Sequence, residues 1–100
     1  MRIFYCDQFR FPCSSRHYFP IRKYTLLREA VVAADLVSPD ELIVPQPATD
    51  EQILRAHDLE YLQRVKRGQL TDRELRRIGL PWSPELVVRA RHSIGGTIEA

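Results

Sequence analysis

The chain has 100 residues, 44% of them hydrophobic, enough for one small domain with a modest core. Fifteen Lys and Arg against thirteen Asp and Glu leave a formal charge of +2, too small a surplus to imply nucleic acid or an anionic membrane as partner. No apolar run approaches the ~20 residues of a membrane span, and the opening Met1-Arg2-Ile3-Phe4-Tyr5-Cys6 lacks the regions of a signal peptide, which together point to a cytoplasmic protein. Without a secretory signal, Cys6 and Cys13 read as free thiols rather than a disulfide.

Ile3 to Cys6 is a short apolar and aromatic run that suits a buried strand of the parallel kind. From Asp7 to Pro20 the chain reads as an irregular loop whose Phe9, Phe11, Tyr18 and Phe19 pack it down. Beyond Pro20, the recurrence of Tyr24, Leu27, Val31 and Ala34 predicts a one-sided helix ending near Ser38-Pro39. Leu42-Ile43-Val44, stopped by Pro45 and Pro47, reads as a second short strand or an extended crossing segment.

Local signals then mark four helices. Thr49 with Gln52 forms a capping box before a short helix through Ala56. Asp58 caps a helix carrying Tyr61, Leu62 and Val65 on one face, and Gly68 allows its left-handed ending. Thr71 with Glu74 repeats the box, and Gly79 closes that helix. Ser83-Pro84 opens the last helix, with Val87, Ala90, Ile94 and Ile98 on its expected inner face. Gly95 and Gly96 inside it cost about 1 kcal/mol each relative to Ala, which predicts close approach of another element. A phosphate loop would need a preceding strand and a following Lys, and neither is present. The last helix runs to Ala100 without a stop signal, and one or two strands cannot bury themselves as a parallel sheet, so the chain reads as incomplete, with further strands expected beyond it.

The motifs in order are His17-Tyr18-Phe19-Pro20-Ile21-Arg22-Lys23, then Ala56-His57-Asp58-Leu59-Glu60-Tyr61-Leu62, then Arg76-Arg77-Ile78-Gly79-Leu80-Pro81-Trp82-Ser83-Pro84, then Gly95-Gly96-Thr97. In this order the chain resembles the start of a histone deacetylase family protein, specifically the bacterial deacetylase-like branch related to the class IV enzymes. The resemblance spans essentially all 100 residues. It implies an α/β domain, the N-terminal part of a three-layer α/β/α arginase-deacetylase fold with a central parallel sheet. For the full-length protein it implies a zinc-dependent hydrolase that removes acetyl or other acyl groups from lysine or a related amine. The family's zinc ligands and proton-handling histidines fall downstream of the Gly-Gly-Thr helix, so this segment carries no catalytic or metal residue and is expected to be inactive alone.

The resemblance assigns substrate-binding roles to four residues. Arg22, in Pro20-Ile21-Arg22, corresponds to an arginine at the inner end of the family's pocket, and Pro81 and Trp82 lie on a loop near the tunnel mouth. Independently, Arg22 and Lys23 open a helix, where a cation opposes the macrodipole by ~0.3 to 1 kcal/mol and calls for a compensating partner. The bland alternatives are a surface arginine bridged to Glu29 and a tryptophan that merely anchors its loop.

Cys6, Cys13 and His17 match no common zinc spacing. His57 reads as a structural histidine bonded to backbone, and His92 as solvent-exposed. The competing function is a small basic helical module for nucleic acid or an acidic protein, built on Arg64, Lys66, Arg67, Arg73, Arg76, Arg77, Arg89 and Arg91. The acidic residues Glu60, Asp72, Glu74 and Glu85 interleaved with them speak for an ordinary solvated surface instead.

Overall fold

In a computed structural model, residues 1–12 and 20–100 are described. Cys13, His17, Tyr18 and Phe19, which figure in the reading above, lie outside the described residues. Strand β1 (Ile3–Phe4) pairs in parallel with β2 (Leu42–Ile43), in the register Ile3 to Leu42 and Phe4 to Ile43. Tyr5 N extends the ladder by donating to Ile43 O at 3.0 Å. Both strands are shorter than their apolar runs, because Phe9 N turns back to Cys6 O after β1, and Pro45, which has no amide to donate, follows soon after β2.

Helix α1 (Arg22–Ala33) stops earlier than its periodicity predicts. Asp35 N donates to Val32 O and Leu36 N to Val31 O, both at 3.0 Å, while Asp35 takes φ 56°. These bonds make a Schellman closure with Asp in place of the usual Gly, a substitution that a short polar side chain tolerates. The crossing back to β2 runs through a 3-10 turn, Pro39–Glu41, framed by a capping box of Ser38 and Glu41.

The other helix starts follow their local signals. Thr49 and Gln52 box the start of α2 (Asp50–Ile53), which ends three residues before Ala56. Asp58 accepts from Tyr61 N to start α3 (Leu59–Arg67), and Thr71 and Glu74 box α4 (Asp72–Ile78). Gly68 and Gly79 end these two helices at φ 70° and 81°. Ser83 accepts from Leu86 N at the start of α5 (Pro84–Glu99). Asp50 ties three helices together, accepting from Lys66 Nζ of α3 at 2.7 Å and from Arg91 Nη2 of α5 at 2.6 Å. Its carboxyl is held below its ordinary value by these two cations, Lys66 foremost.

The buried face of α5 differs from the predicted one. Gly95 and Arg89 are its buried residues, whereas Ala90, Ile94 and Ile98 are exposed. The cause is the close approach that the glycine pair predicts. A Cβ on Gly95 would stand 1.8 Å from Gln46 O and 3.1 Å from Ala48 N. Ala48 N donates to Arg91 O at 2.9 Å and Gln46 N to the Glu99 carboxylate at 2.7 Å. The segment leaving β2 therefore lies directly on the helix backbone. That turns the Gly95 side inward and leaves Val87, Ala90 and Ile94 bordering a smaller apolar cavity of about 350 Å³ shared with α3 and α4.

Among the described residues the best-buried apolar cluster is small, comprising Ala48, Ile53 and Leu62, and large apolar side chains such as Leu27 (64% exposed) and Leu36 (67%) face outward. None of the described helices is long and apolar enough to cross a membrane.

The two glycines give opposite expectations. Gly95→Ala forces backbone against backbone and should destabilise the chain by at least ~3 kcal/mol, the upper range for overpacking. Gly96→Ala meets only ordinary contacts, Pro45 Cγ at 3.4 Å and Phe4 Cβ at 3.6 Å. It should be neutral or stabilise by up to ~1 kcal/mol through helix propensity. Urea unfolding of both variants beside the parent checks the pair, and equal effects would contradict the close approach.

Candidate functional site

Among the described residues a half-open groove of about 890 Å³ is floored by β1 and residues 5–7 and walled by α1 and α5. Its apolar lining includes Phe4, Phe11, Leu27, Val31 and Leu86, and its polar groups include Asp7, Arg28, Arg89, Ser93 and Thr97.

Asp7, just past β1, is buried at 7% exposure. Its carboxylate accepts from Thr25 Oγ1 at 2.9 Å, from Arg28 Nε at 3.0 and 3.2 Å, and from Arg28 Nη2 at 3.1 Å. Thr25 and Arg28 sit three apart on α1, so one carboxylate grips both and fixes the first turns of that helix to the end of β1. Burial pushes the Asp7 carboxyl up, but the Arg28 and Thr25 hydrogen bonds together outweigh it and the net displacement is downward. Arg28 is correspondingly raised, chiefly by its bond to Asp7, and its guanidinium lies 5.5 Å from the centre of the Tyr5 ring.

On the opposite wall Arg89 is buried at 8% exposure. It donates through Nη1 to Phe9 O at 3.3 Å and lies 4.6 Å from the Tyr24 ring centre. Phe9 also stacks on His92, centroids 3.7 Å apart and planes 19° from parallel. His92 is thus half-buried under an aromatic ring instead of solvent-exposed as predicted. Its Nδ1 lies 2.8 Å from Val88 O, an acceptor only, so Nδ1 carries a proton.

The predicted substrate residues fall apart from this groove. Arg22 is the first residue of α1 and exposed, as is Pro20, and neither borders the groove. Among the described residues no acidic side chain pairs with Arg22, Glu29 included. Pro81 is exposed, while Trp82 is turned onto the end of α3. Its Nε1 donates to Val65 O at 2.6 Å and its ring covers Gly68, where a Cβ would stand 3.0 Å from the ring carbons. Trp82 thus ties its loop to α3, and it also borders the apolar cavity of about 350 Å³ between α3, α4 and α5. His57 is exposed and stacks on Tyr61 at 5.7 Å instead of bonding backbone. Cys6 is a free thiol.

Half of the basic residues of the binding-module reading are engaged. Arg64 forms a two-pronged pair with Glu74, at 2.5 and 3.0 Å, which lowers Glu74 to about 2 with Arg64 as the main cause. Lys66 and Arg91 are held by Asp50, and Arg89 is buried. Four of the eight cations are thus withdrawn from any basic face. Among the described residues no three His, Cys, Asp or Glu side chains gather in a way that could hold a metal ion.

Sequence reasoning missed Asp7, Arg28 and Arg89. The Thr25–Arg28 spacing on one helix face was a usable signal for a shared partner, and Arg89 stands seven residues before Gly96, on the same stripe of α5.

No protein-family model matches the chain. Over 87 residues it is 33% identical to an uncharacterized protein of Picosynechococcus sp., a match covering 87% of this chain and 29% of that protein. Over 76 residues it is 29% identical to the acetoin utilization protein AcuC of Staphylococcus aureus strain COL, covering 73% of this chain and 19% of that protein. AcuC of strain MRSA252 matches to the same extent. The chain thus spans 29% and 19% of the lengths of these curated relatives.

Two expectations rest on these contacts. A carboxyl whose pKa is lowered by folding stabilises the folded chain above its unfolded pKa and loses that contribution as pH falls through the folded value. With Asp7 lowered from 3.8 and Glu74 from 4.5 to about 2, the urea midpoint should hold steady above about pH 5 and fall between roughly pH 4.5 and 2. Asp7→Asn should cost ~1 to 3 kcal/mol at pH 7 and make that acid decline shallower, and an unaltered pH profile in this variant would contradict the clamp. Trp82→Phe removes the bond to Val65 O and should cost about 1 to 2 kcal/mol in the same assay.

Proposed function

We propose that the chain is the N-terminal portion of a single deacetylase domain of the histone deacetylase family, with the three-layer α/β/α arginase-deacetylase fold. In the whole protein that domain is an amide hydrolase acting on an acetylated or otherwise acylated lysine or related amine. The observation that carries this reading is the ordered set of motifs from His17 to Thr97, whose glycine pair has a concrete structural use in seating α5 on the segment that leaves a parallel strand. The partial match to the longer AcuC lends support. So does the structure's own deficit: among the described residues the parallel sheet has two strands, with Leu36, Ile94 and Ile98 exposed, as a fragment of a larger sheet would leave them.

By the same resemblance the zinc ligands fall downstream of the Gly-Gly-Thr helix, so zinc, in this reading, belongs to residues outside this chain. What this chain supplies is the wall of the substrate pocket. Arg22 projects from the first turn of α1, a helix held in place by the Asp7 clamp, and keeps its forked donors for a partner beyond the chain, such as pocket carbonyls and the released carboxylate. Pro81 stays exposed because its neighbour Trp82 pins the loop to α3.

Arg22→Ala in the whole protein should lower kcat on an acetyl-lysine peptide by at least about 10-fold, equivalent to ~1.4 kcal/mol of barrier, and barely move the unfolding midpoint. Arg22→Lys should recover part of the loss, since it keeps the charge and loses the fork. Turnover unchanged in Arg22→Ala would remove Arg22 from the site, and a whole protein unable to hydrolyse acylated amines would overturn the functional reading.

A further inference from the structure

Arg89 is a buried cation without an anion. It is 8% exposed, yet none of the ion pairs among the described residues includes it. The seven residues outside the described set, 13–19, contain neither Asp nor Glu. Asp7, the carboxylate that lines the same groove, is already occupied on both oxygens by Arg28 and Thr25. The contacts that Arg89 does make leave its charge in place. Its bond to Phe9 O is long at 3.3 Å, and the Tyr24 ring at 4.6 Å offers a quadrupole rather than a counter-charge. The groove is half-open, and none of the Arg89 nitrogens is both buried and without a partner, so the part of its fork not bonded to Phe9 O is open to an incoming anion.

We propose that the groove between α1 and α5 binds a small organic monocarboxylate, its head paired with Arg89 and its alkyl chain lying against the apolar walls. A planar carboxylate matches the fork of donors on a guanidinium. Ser93 follows Arg89 at i+4 on α5 and lines the same groove, placing one hydroxyl a turn from that head, whereas Thr97, about 12 Å along the helix from Arg89, donates to Ser93 O and borders the tail. Arg2 also borders the groove, and walls that include Phe4, Phe11, Leu27 and Val31 favour an organic carboxylate, whose charge sits at one end, over a compact dianion such as phosphate. The volume of about 890 Å³ leaves room for a tail well beyond two carbons. The site is defined by binding alone and does not depend on the hydrolase reading.

Isothermal titration of the 100-residue chain with octanoate, 1-octanol and acetate separates head from tail. Octanoate should saturate one site per chain, with octanol, which lacks the charge, and acetate, which lacks the tail, each weaker by at least about 10-fold. Arg89→Met should lower octanoate affinity by at least about 10-fold and leave octanol unchanged, with Arg89→Lys in between. Should the Met variant not fold, the comparison of the three probes on the parent chain still decides. Octanol binding as tightly as octanoate, octanoate binding unaffected by Arg89→Met, or no saturable binding at all overturns the site.

Discussion

At Gly95 nothing stands between the backbone of α5 and the segment leaving β2, and the Gln46 carbonyl lies within 1.8 Å of where a Cβ would be. This contact sets the rotation of α5 about its own axis. With Gly95 turned to residues 46–48, Gly96 meets Phe4 and Pro45, and Arg89, seven residues earlier, faces the groove over β1. The hydrogen bond from Ala48 N to Arg91 O fastens the same junction through backbone groups that no side-chain change can remove.

The second organising contact is the grip of Asp7 on α1. It joins the end of β1 to the start of a helix 18 and 21 residues away through one buried carboxylate. The two walls of the groove are thereby set by different means, α1 by a charge-assisted clamp and α5 by the absence of side chains. The groove between them is bordered by the guanidiniums of Arg2, Arg28 and Arg89, of which Asp7 neutralises Arg28, and the unpaired charge on Arg89 is a property of that geometry. The position of Arg22 is likewise inherited, since it lies one turn ahead of Thr25 on the clamped helix.

What could be read in advance was what is local. Thr49 with Gln52, Thr71 with Glu74, Asp58 and Ser83-Pro84 each act within three residues, and the helices begin where they indicate. The end of α1 escaped because Asp35 took the left-handed place where Gly is the usual sign. The Asp7 clamp escaped because a carboxylate and a guanidinium 21 residues apart leave no periodic trace. The inner face of α5 was misread for a related reason: apolar periodicity counts side chains, whereas here the deciding contact is the absence of one. Arg89 looked like one more basic residue on a mixed helix, and only the rotation imposed at Gly95 buries it. The glycine pair, by contrast, signalled close approach correctly, since its propensity cost needed a return.

The junction between residues 46–48 and α5 is tested most directly by amide hydrogen exchange at Ala48. Ala48 lies outside any helix or strand, and its amide is protected by its bond to Arg91 O and by the burial that the same junction creates. The Ala48 amide should exchange as slowly as the interior amides of α5, opening only when the helix leaves the sheet. Exchange of Ala48 at the rate of an unstructured peptide, beside a protected α5, would contradict the junction and with it the orientation of Arg89.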